Sequence, residues 1–339
     1  MTAELRRGPA RPVDVLAIGD TSADLFVSVP YLPGRDQKAM GRFLGIHGGG
    51  MSANFAVAAA REGAVGALAS VLGDDERGRA CLRELVEQGI DTTAVTTVDG
   101  VNTWFCIVQL DPSGEKALTG AMTEIKVPPL EQITDQLLAR AALVAPLADD
   151  VAWATEVAMR AKRQGCLVAV DLEAGAMSDG LGALDRLLRH TDLAFTNRAG
   201  LASAGHHNLD DAARILLRSG PAVAVVTLGA DGAVCAAGVQ RLRSRALPSK
   251  VVDSTGAGDA FSGAFASAYL RGAPLADCLR RATAMSALAV GSLGARTYTA
   301  GPEFDQLAAR VDITAHHPES LHHPESGVHH PESTEEEQC

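Results

Sequence analysis

The chain has 339 residues with 41 acidic and 30 basic side chains, a formal charge of -11, and a composition that is 47% hydrophobic but only 4% aromatic. That balance argues against nucleic-acid binding through a basic surface and against a Lys/Arg patch for anionic membranes, and it can fill a large aliphatic core in one big α/β domain or two smaller ones. A small-molecule substrate is expected, and any phosphate has to be bound by local geometry.

Residues 1–12 hold charge and proline and are read as a flexible N-terminus. They contain no apolar segment long enough for a signal peptide, and no later run is long enough to span a bilayer. The six cysteines, Cys81, Cys106, Cys166, Cys235, Cys278 and Cys339, include no Cys-x-x-Cys pair, which fits neither a zinc site nor a disulfide framework. A reducing, cytoplasmic setting is the expectation. From residue 13 to 311 apolar runs alternate with helical patterns: Val13 to Ile18, Ala67 to Leu72, Ala142 to Ala145, Leu167 to Val170, Leu193 to Thr196 and Ala222 to Thr227. This is the grammar of a parallel sheet flanked by helices. Ligands of such sheets bind beyond the carboxyl ends of the strands, where Asp20, Asp171, Asn197 and Thr227 fall.

Two segments interrupt the alternation. Leu25 to Ile46 contains short strand-like pieces around Pro30, Pro33 and Gly34; Trp104 to Leu110, the turn Asp111-Pro112-Ser113-Gly114, and Glu115 to Thr119 read as a hairpin. Together they predict a small separate sheet, an edge extension of the main sheet being the alternative. Gly49-Gly50-Met51-Ser52-Ala53-Asn54 then opens a helical pattern rich in alanine. Thr227-Leu228-Gly229-Ala230-Asp231-Gly232 follows an apolar strand and by itself reads as an ordinary strand-turn-strand connection.

The most informative string is Asp253-Ser254-Thr255-Gly256-Ala257-Gly258-Asp259-Ala260-Phe261. Phe261, Phe265 and Tyr269 recur at every fourth residue beside Ala260, Ala264 and Ala268, which predicts a helix beginning at the glycines with an apolar stripe on one face. The N–H groups of its first turn have no intrahelical partner and carry the positive end of the helix dipole, so an anion is stabilised there without a lysine or arginine. A carboxylate in that field, Asp259, is expected to stay ionised at neutral pH and to accept the proton of an alcohol attacking a bound phosphoryl group. Read alone, Gly-Ala-Gly-Asp also fits a tight turn capping a core helix.

The 253–261 string and the 49–54 string resemble the C-terminal and N-terminal signatures of the PfkB, or ribokinase-like, family of carbohydrate and nucleoside kinases, in the expected order and over about residues 13 to 300. The resemblance implies a ribokinase-like three-layer α/β/α domain, with a mostly parallel central sheet and a small β-sheet lid from about residues 25–46 and 101–122. In several members that lid also forms the dimer contact. It implies ATP and Mg2+, with Asp259 as general base and Gly256, Ala257 and Gly258 as an anion hole. Asp24 resembles the aspartate that binds sugar hydroxyls, and Asp20, Gly49, Gly50 and Asn54 join it around the acceptor. Asn197, Thr227, Gly229 and Gly232 match positions along the nucleotide. Asn197 begins a family Asn-x-x-Glu motif whose glutamate organises magnesium, but its fourth position here is Gly200; Glu173 is a candidate substitute. Asp253, Thr255, Ala289, Ser292, Gly294 and Tyr298 match a monovalent-cation loop, which implies K+.

A small sugar is the expected acceptor, with a nucleoside as the alternative; Trp104 and Phe105 in the lid suit stacking on a base or shielding a sugar. Two further readings stay open. One is a non-catalytic ligand-binding regulator on the same scaffold, motivated by Gly200 and by Glu173-Ala174-Gly175. The other is an NAD(P)-dependent oxidoreductase, because Gly48-Gly49-Gly50-Met51-Ser52-Ala53 satisfies Gly-x-Gly-x-x-Ala with Asp74-Asp75 beyond it, although about thirty residues separate the first strand from these glycines. From Asp312 onward, His-His-Pro-Glu-Ser occurs at His316, His322 and His329, and residues 312–339 read as a disordered, low-complexity tail.

Overall fold

The computed structural model describes residues 11–113, 116–123, 125–207 and 209–315. The N-terminal residues before Arg11, Gly114 and Glu115 of the expected hairpin turn, and the His-Pro-Glu repeats lie outside them. The strands are β1 (Val13–Ile18), β2 (Ser22–Ser28), β3 (Arg42–Gly49), β4 (Gly66–Gly73), β5 (Asp91–Val98), β6 (Phe105–Leu110), β7 (Lys116–Ala121), β8 (Ala141–Pro146), β9 (Leu167–Leu172), β10 (Leu193–Asn197), β11 (Val223–Thr227), β12 (Ala233–Ala237), β13 (Gln240–Ser244) and β14 (Ile313–Ala315). Between them run α1 (Met51–Arg61), α2 (Glu76–Glu87), α3 (Asp135–Ala139), α4 (Val151–Arg163), α5 (Ala174–Met177), α6 (Asp185–Leu188), α7 (Arg198–Ser203), α8 (Leu209–Arg218), α9 (Ala257–Leu270), α10 (Leu275–Ala289) and α11 (Phe304–Ala309).

Ten strands form one sheet in the order β14-β13-β12-β11-β10-β9-β8-β1-β4-β5. From β5 to β11 neighbours run parallel, and β12, β13 and β14 add an antiparallel edge. The strands β1, β4 and β8 to β11 are near-continuous aliphatic runs because helices cover both faces of a parallel sheet. On one face Trp153, Val157 and Ala161 of α4, Leu187 and Leu188 of α6 and Leu216 of α8 pack with Leu16, Val144 and Val170. On the other, Phe55 of α1, Phe261 and Phe265 of α9 and Leu279 of α10 pack with Val15, Leu68 and Phe195. Helix α9 differs from the expected one-sided stripe: residues 260 to 270 are all buried, since α1 and α10 flank it and the sheet lies beneath. Ile313–Ala315, assigned above to the tail, pair with β13.

The small sheet is separate, in the order β3-β2-β6-β7, with β2 and β6 parallel and the outer pairs antiparallel. It is the expected lid. Its register sends Asp24, Phe26, Cys106, Val108, Leu118 and Lys116 to one face and Leu25, Val27, Phe43, Ile46 and Ile107 to the other. The glycines of the Gly-x-Gly-x-x-Ala string follow antiparallel β3, not β1, and Asp75 caps α2 by accepting from Gly78 N at 2.7 Å. That placement removes the dinucleotide reading. Among the described residues no helix is long and apolar enough to cross a membrane.

Candidate active site

One large cleft, about 1180 Å³, lies between the lid and the carboxyl ends of the parallel strands. Its walls include Asp20, Asp24, Gly50 and Asn54 at the lid end, Gly256, Ala257, Gly258 and Asp259 in the middle, and Asn197, Thr227, Gly229 and Gly232 at the other end. Three stretches far apart in sequence therefore share one space, as open α/β sheets arrange their ligand sites.

At the lid end, Asp20 and Asp24 flank the step from β1 into β2. Asp20 Oδ1 accepts from Ser52 N at 3.0 Å at the start of α1, and Asp24 Oδ1 accepts from Ser22 Oγ at 3.1 Å. Burial raises both carboxyls, Asp24 to about 6. Gly49 does not itself face the cleft; a Cβ there would lie 2.3 Å from Asp24 Oδ2, so the missing side chain is what lets the aspartate seat against the backbone. Gly50, at φ 94°, packs on the Thr21 backbone and turns β3 into α1. Behind this turn the fully buried Arg296 donates from Nη1 to Gly49 O at 3.2 Å and from Nε to Glu84 Oε1 at 3.2 Å. No sequence pattern marks Arg296.

In the middle, Gly256 adopts a left-handed conformation, φ 73°, and starts α9 with the Cβ position blocked by Ala295. Gly258 borders open space. The Ala257 amide leans back to Ser254 O at a long 3.4 Å. Asp259 is half-buried and accepts from Asn54 Nδ2 at 2.7 Å through Oδ2. Desolvation pushes its pKa well up, the Asn54 hydrogen bond opposes this, and Asp171, Asp20 and Glu173 add to the rise. Enclosure and three neighbouring acids thus shift this carboxyl in the direction opposite to that of the helix terminus. Asp171, at the end of β9, lies beneath, accepting from Ser262 Oγ at 2.7 Å with its own pKa raised by burial to about 6.

At the far end Asn197 caps α7, its Oδ1 accepting from Gly200 N at 2.8 Å. A Cβ at Gly200 would lie 2.4 Å from Thr196 Oγ1 and 3.0 Å from Leu172 O, so the family glutamate has no room on this backbone. Glu173 instead reaches the cleft beside Asn197, whose Nδ2 donates toward both of its oxygens at 3.4 Å. Gly229 and Gly232, at φ 63° and 91°, form the turn between β11 and β12. Of the residues matched to a cation loop, Thr255 alone faces the cleft. Asp253 is buried and accepts from Thr255 N at 2.9 Å, Thr255 Oγ1 at 2.7 Å and Gly294 N at 3.0 Å. Ser292 sits on the neighbouring turn, whereas Ala289 and Tyr298 join an apolar cluster and the Arg61 guanidinium covers the Tyr298 ring at 4.2 Å. In the lid, Trp104 lines the cleft but Phe105 faces away, under the Arg77 guanidinium at 4.5 Å, because successive strand residues alternate. Cys106, Leu118 and Lys116, which the sequence reading does not single out, complete the lid wall.

The family model described as pfkB family carbohydrate kinase matches residues 13–300. The chain belongs to that family. A ribokinase of Haemophilus influenzae is 29% identical over 287 residues, covering 83% of this pfkB-family chain and 93% of the relative. A nucleoside kinase of Methanothermobacter thermautotrophicus is 30% identical over 298 residues, covering 84% and 91%. Among solved structures, Arabidopsis thaliana ribokinase complexed with ribose and ATP superposes with a TM-score of 0.75 at 23% identity, covering 87% of this chain and 98% of the other. A putative ribokinase II from E. coli in complex with ATP and Mg2+ gives 0.76 at 21%, covering 88% and 99%. This pfkB-family member is a phosphotransferase acting on an alcohol group of a sugar or nucleoside.

Proposed function

We propose that this kinase transfers the γ-phosphoryl group of ATP to a hydroxyl of a small sugar, with Asp259 as general base and the amides of Gly256, Ala257 and Gly258 as the anion hole. The observation that carries the reading is the Asn54–Asp259 hydrogen bond at 2.7 Å inside a cleft shared with Gly256–Gly258 and the β11–β12 turn. An acceptor held by Asp24 and Asn54 has its attacking oxygen beside Asp259. Burial raises the pKa of that carboxyl, which makes the ionised form a stronger proton acceptor than an ordinary aspartate. The body of α9, buried from Ala260 to Leu270, anchors the more open first turn, so its amides would need little reorganisation as charge develops on the phosphoryl oxygens. Asp20, Asp24, Gly49, Gly50 and Asn54 serve the acceptor; Asn197, Thr227, Gly229 and Gly232 serve the nucleotide.

The donors at the far end fit magnesium. Glu173 offers hard carboxylate oxygens to the cleft, with the Asn197 amide nitrogen beside them, and among the described residues no cluster of three or more His, Cys, Asp or Glu is arranged to hold a metal by itself. A magnesium ion would be held by Glu173 together with the nucleotide phosphates, whose charge it would neutralise. For the K+ reading, the carbonyl-rich turns at 252–255 and 290–294, joined by the Gly294–Asp253 hydrogen bond, supply the candidate ligands.

Sugar is preferred over nucleoside on the family resemblance; Asp20, Ser22, Asp24 and Asn54 set polar groups at the lid end that suit hydroxyls, which the ribose of a nucleoside also carries. The test is ATP consumption over furanoses, ketoses, sugar phosphates, nucleosides and inositols, with and without K+. A response to nucleosides alone overturns the acceptor and leaves the base. On the lid's outer face Phe43 and Ile46 are exposed beside Leu25, Val27 and Ile107, which supports a dimer through the lid. Sedimentation of the wild type and Phe43→Asp tests it, a monomer in both overturning that contact.

A further inference from the structure

Lys116 is a lid residue that reaches the anion-hole loop. It stands on β7 opposite Leu110, on the same lid face as Asp24, Cys106 and Leu118. Its Nζ donates to Thr255 Oγ1 at 3.0 Å and lies 3.9 Å from Asp253 Oδ1. Thr255 Oγ1 in turn donates to Asp253 Oδ1 at 2.7 Å, so a cation, a hydroxyl and a buried carboxylate are linked in series directly before Gly256.

The charges around the cleft explain why such a group is needed. Its lining holds four carboxylates, Asp20, Asp24, Glu173 and Asp259, but among the described residues only two cationic side chains, Lys116 and Arg198. Arg198 is at the nucleotide end and paired with Asp231 at 2.6 Å. A triphosphate entering this cleft meets acids on the acceptor side, and Lys116 is the cation standing between them and the helix terminus. A lysine is suited to the task, being a compact ammonium on a flexible stem with three rotatable donors, so it can leave Thr255 without breaking the backbone framework.

Resting on the reading of the site given above, we propose that Lys116 is the phosphoryl-neutralising cation of this kinase, docked on Thr255 in the free protein and transferred to the terminal phosphate oxygens when the nucleotide enters. Lid position and charge neutralisation are thereby one event, because the ammonium arrives on β7. Desolvation lowers the lysine's pKa and the facing carboxylates Asp253, Asp24 and Asp259 oppose that; the arriving phosphate adds to their side.

The test compares the wild type with Lys116→Met and Lys116→Arg. Calorimetric titration with ADP and with a non-hydrolysable ATP analogue, both with magnesium, reads preference for the terminal phosphate without any acceptor. Lys116→Met should lose about tenfold or more of that preference, cut turnover on the best acceptor by about 10² to 10³ with acceptor KM nearly unchanged, and melt at the wild-type temperature. Lys116→Arg should restore most of the phosphate preference. An unchanged triphosphate-to-diphosphate ratio in Lys116→Met overturns the proposal, as does turnover within twofold of wild type. The underlying reading fails separately, through wild-type turnover in Asp259→Asn; if no tested acceptor is phosphorylated, the calorimetric ratio still decides the role of Lys116.

Discussion

Asn54 Nδ2 donates to Asp259 Oδ2 at 2.7 Å across 205 residues of sequence, fastening the start of α1 to the start of α9. The bond opposes the rise in the Asp259 pKa. Asn54→Ala should therefore move the acidic limb of the kcat profile to higher pH and lower kcat at neutral pH, through both a misplaced base and its greater proton affinity. Measuring kcat from pH 5 to 9 checks this; an unmoved limb means that the hydrogen bond does not tune the base.

Asp259→Asn keeps the shape of the first turn and removes the proton acceptor. Turnover should fall by about 10² to 10⁴ while binding of the ATP analogue changes little. In the wild type, kcat should rise with pH as the Asp259 carboxyl ionises, above the ordinary range of an aspartate. Retained turnover in the variant removes Asp259 from the chemistry.

Asp171 carries a sign that can be worked out. Its pKa is raised from 3.8 to about 6 in the folded protein, so the native state binds this proton more tightly than the unfolded chain does. The resulting stabilisation is full below about pH 4 and lost as pH rises through about 6. Asp171→Asn should then stabilise the fold at pH 7.5 by at most about 3 kcal/mol, seen as a higher Tm, and leave Tm nearly unchanged at pH 4. Thermal melts at the two pH values decide it.

Glu173→Gln preserves the side-chain length and discards the charge facing the nucleotide end. Apparent Mg2+ affinity in a magnesium titration at fixed ATP should weaken about tenfold or more. Adding Gly200→Glu should not restore it, because the side chain meets Thr196 Oγ1 and the Leu172 carbonyl. Full rescue by that second change would return the role to position 200.

The parallel strands were readable because burial on both faces makes them near-continuous aliphatic runs, and Val223–Thr227 is the clearest case. Strand β5, Asp91-Thr-Thr-Ala-Val-Thr-Thr-Val98, escaped because an edge strand in partial contact with solvent mixes threonine and valine without a strong pattern. Strand β13, Gln240-Arg-Leu-Arg-Ser244, lies between β12 and the short β14 and is polar because most of its residues keep contact with solvent. The glycine signatures were legible through their length. The Asn54–Asp259 bond and the reach of Lys116 were not, since both depend on long-range packing and on lid register, which no local string encodes. Gly200 looked like a missing acid in the sequence; in the fold it is a closed position, and Glu173 faces the cleft instead.

The lid has short joints. Strand β1 passes into β2 through Gly19-Asp20-Thr21, and β3 passes into α1 through Gly50 alone. The residues proposed to hold the acceptor thus lie beside the joints of the small sheet, and β7 lies at its edge. If the sheet turns on those joints, an acceptor of the wrong girth between Asp24 and Asn54 would displace β7 most, which would select by thickness among molecules presenting identical hydroxyls.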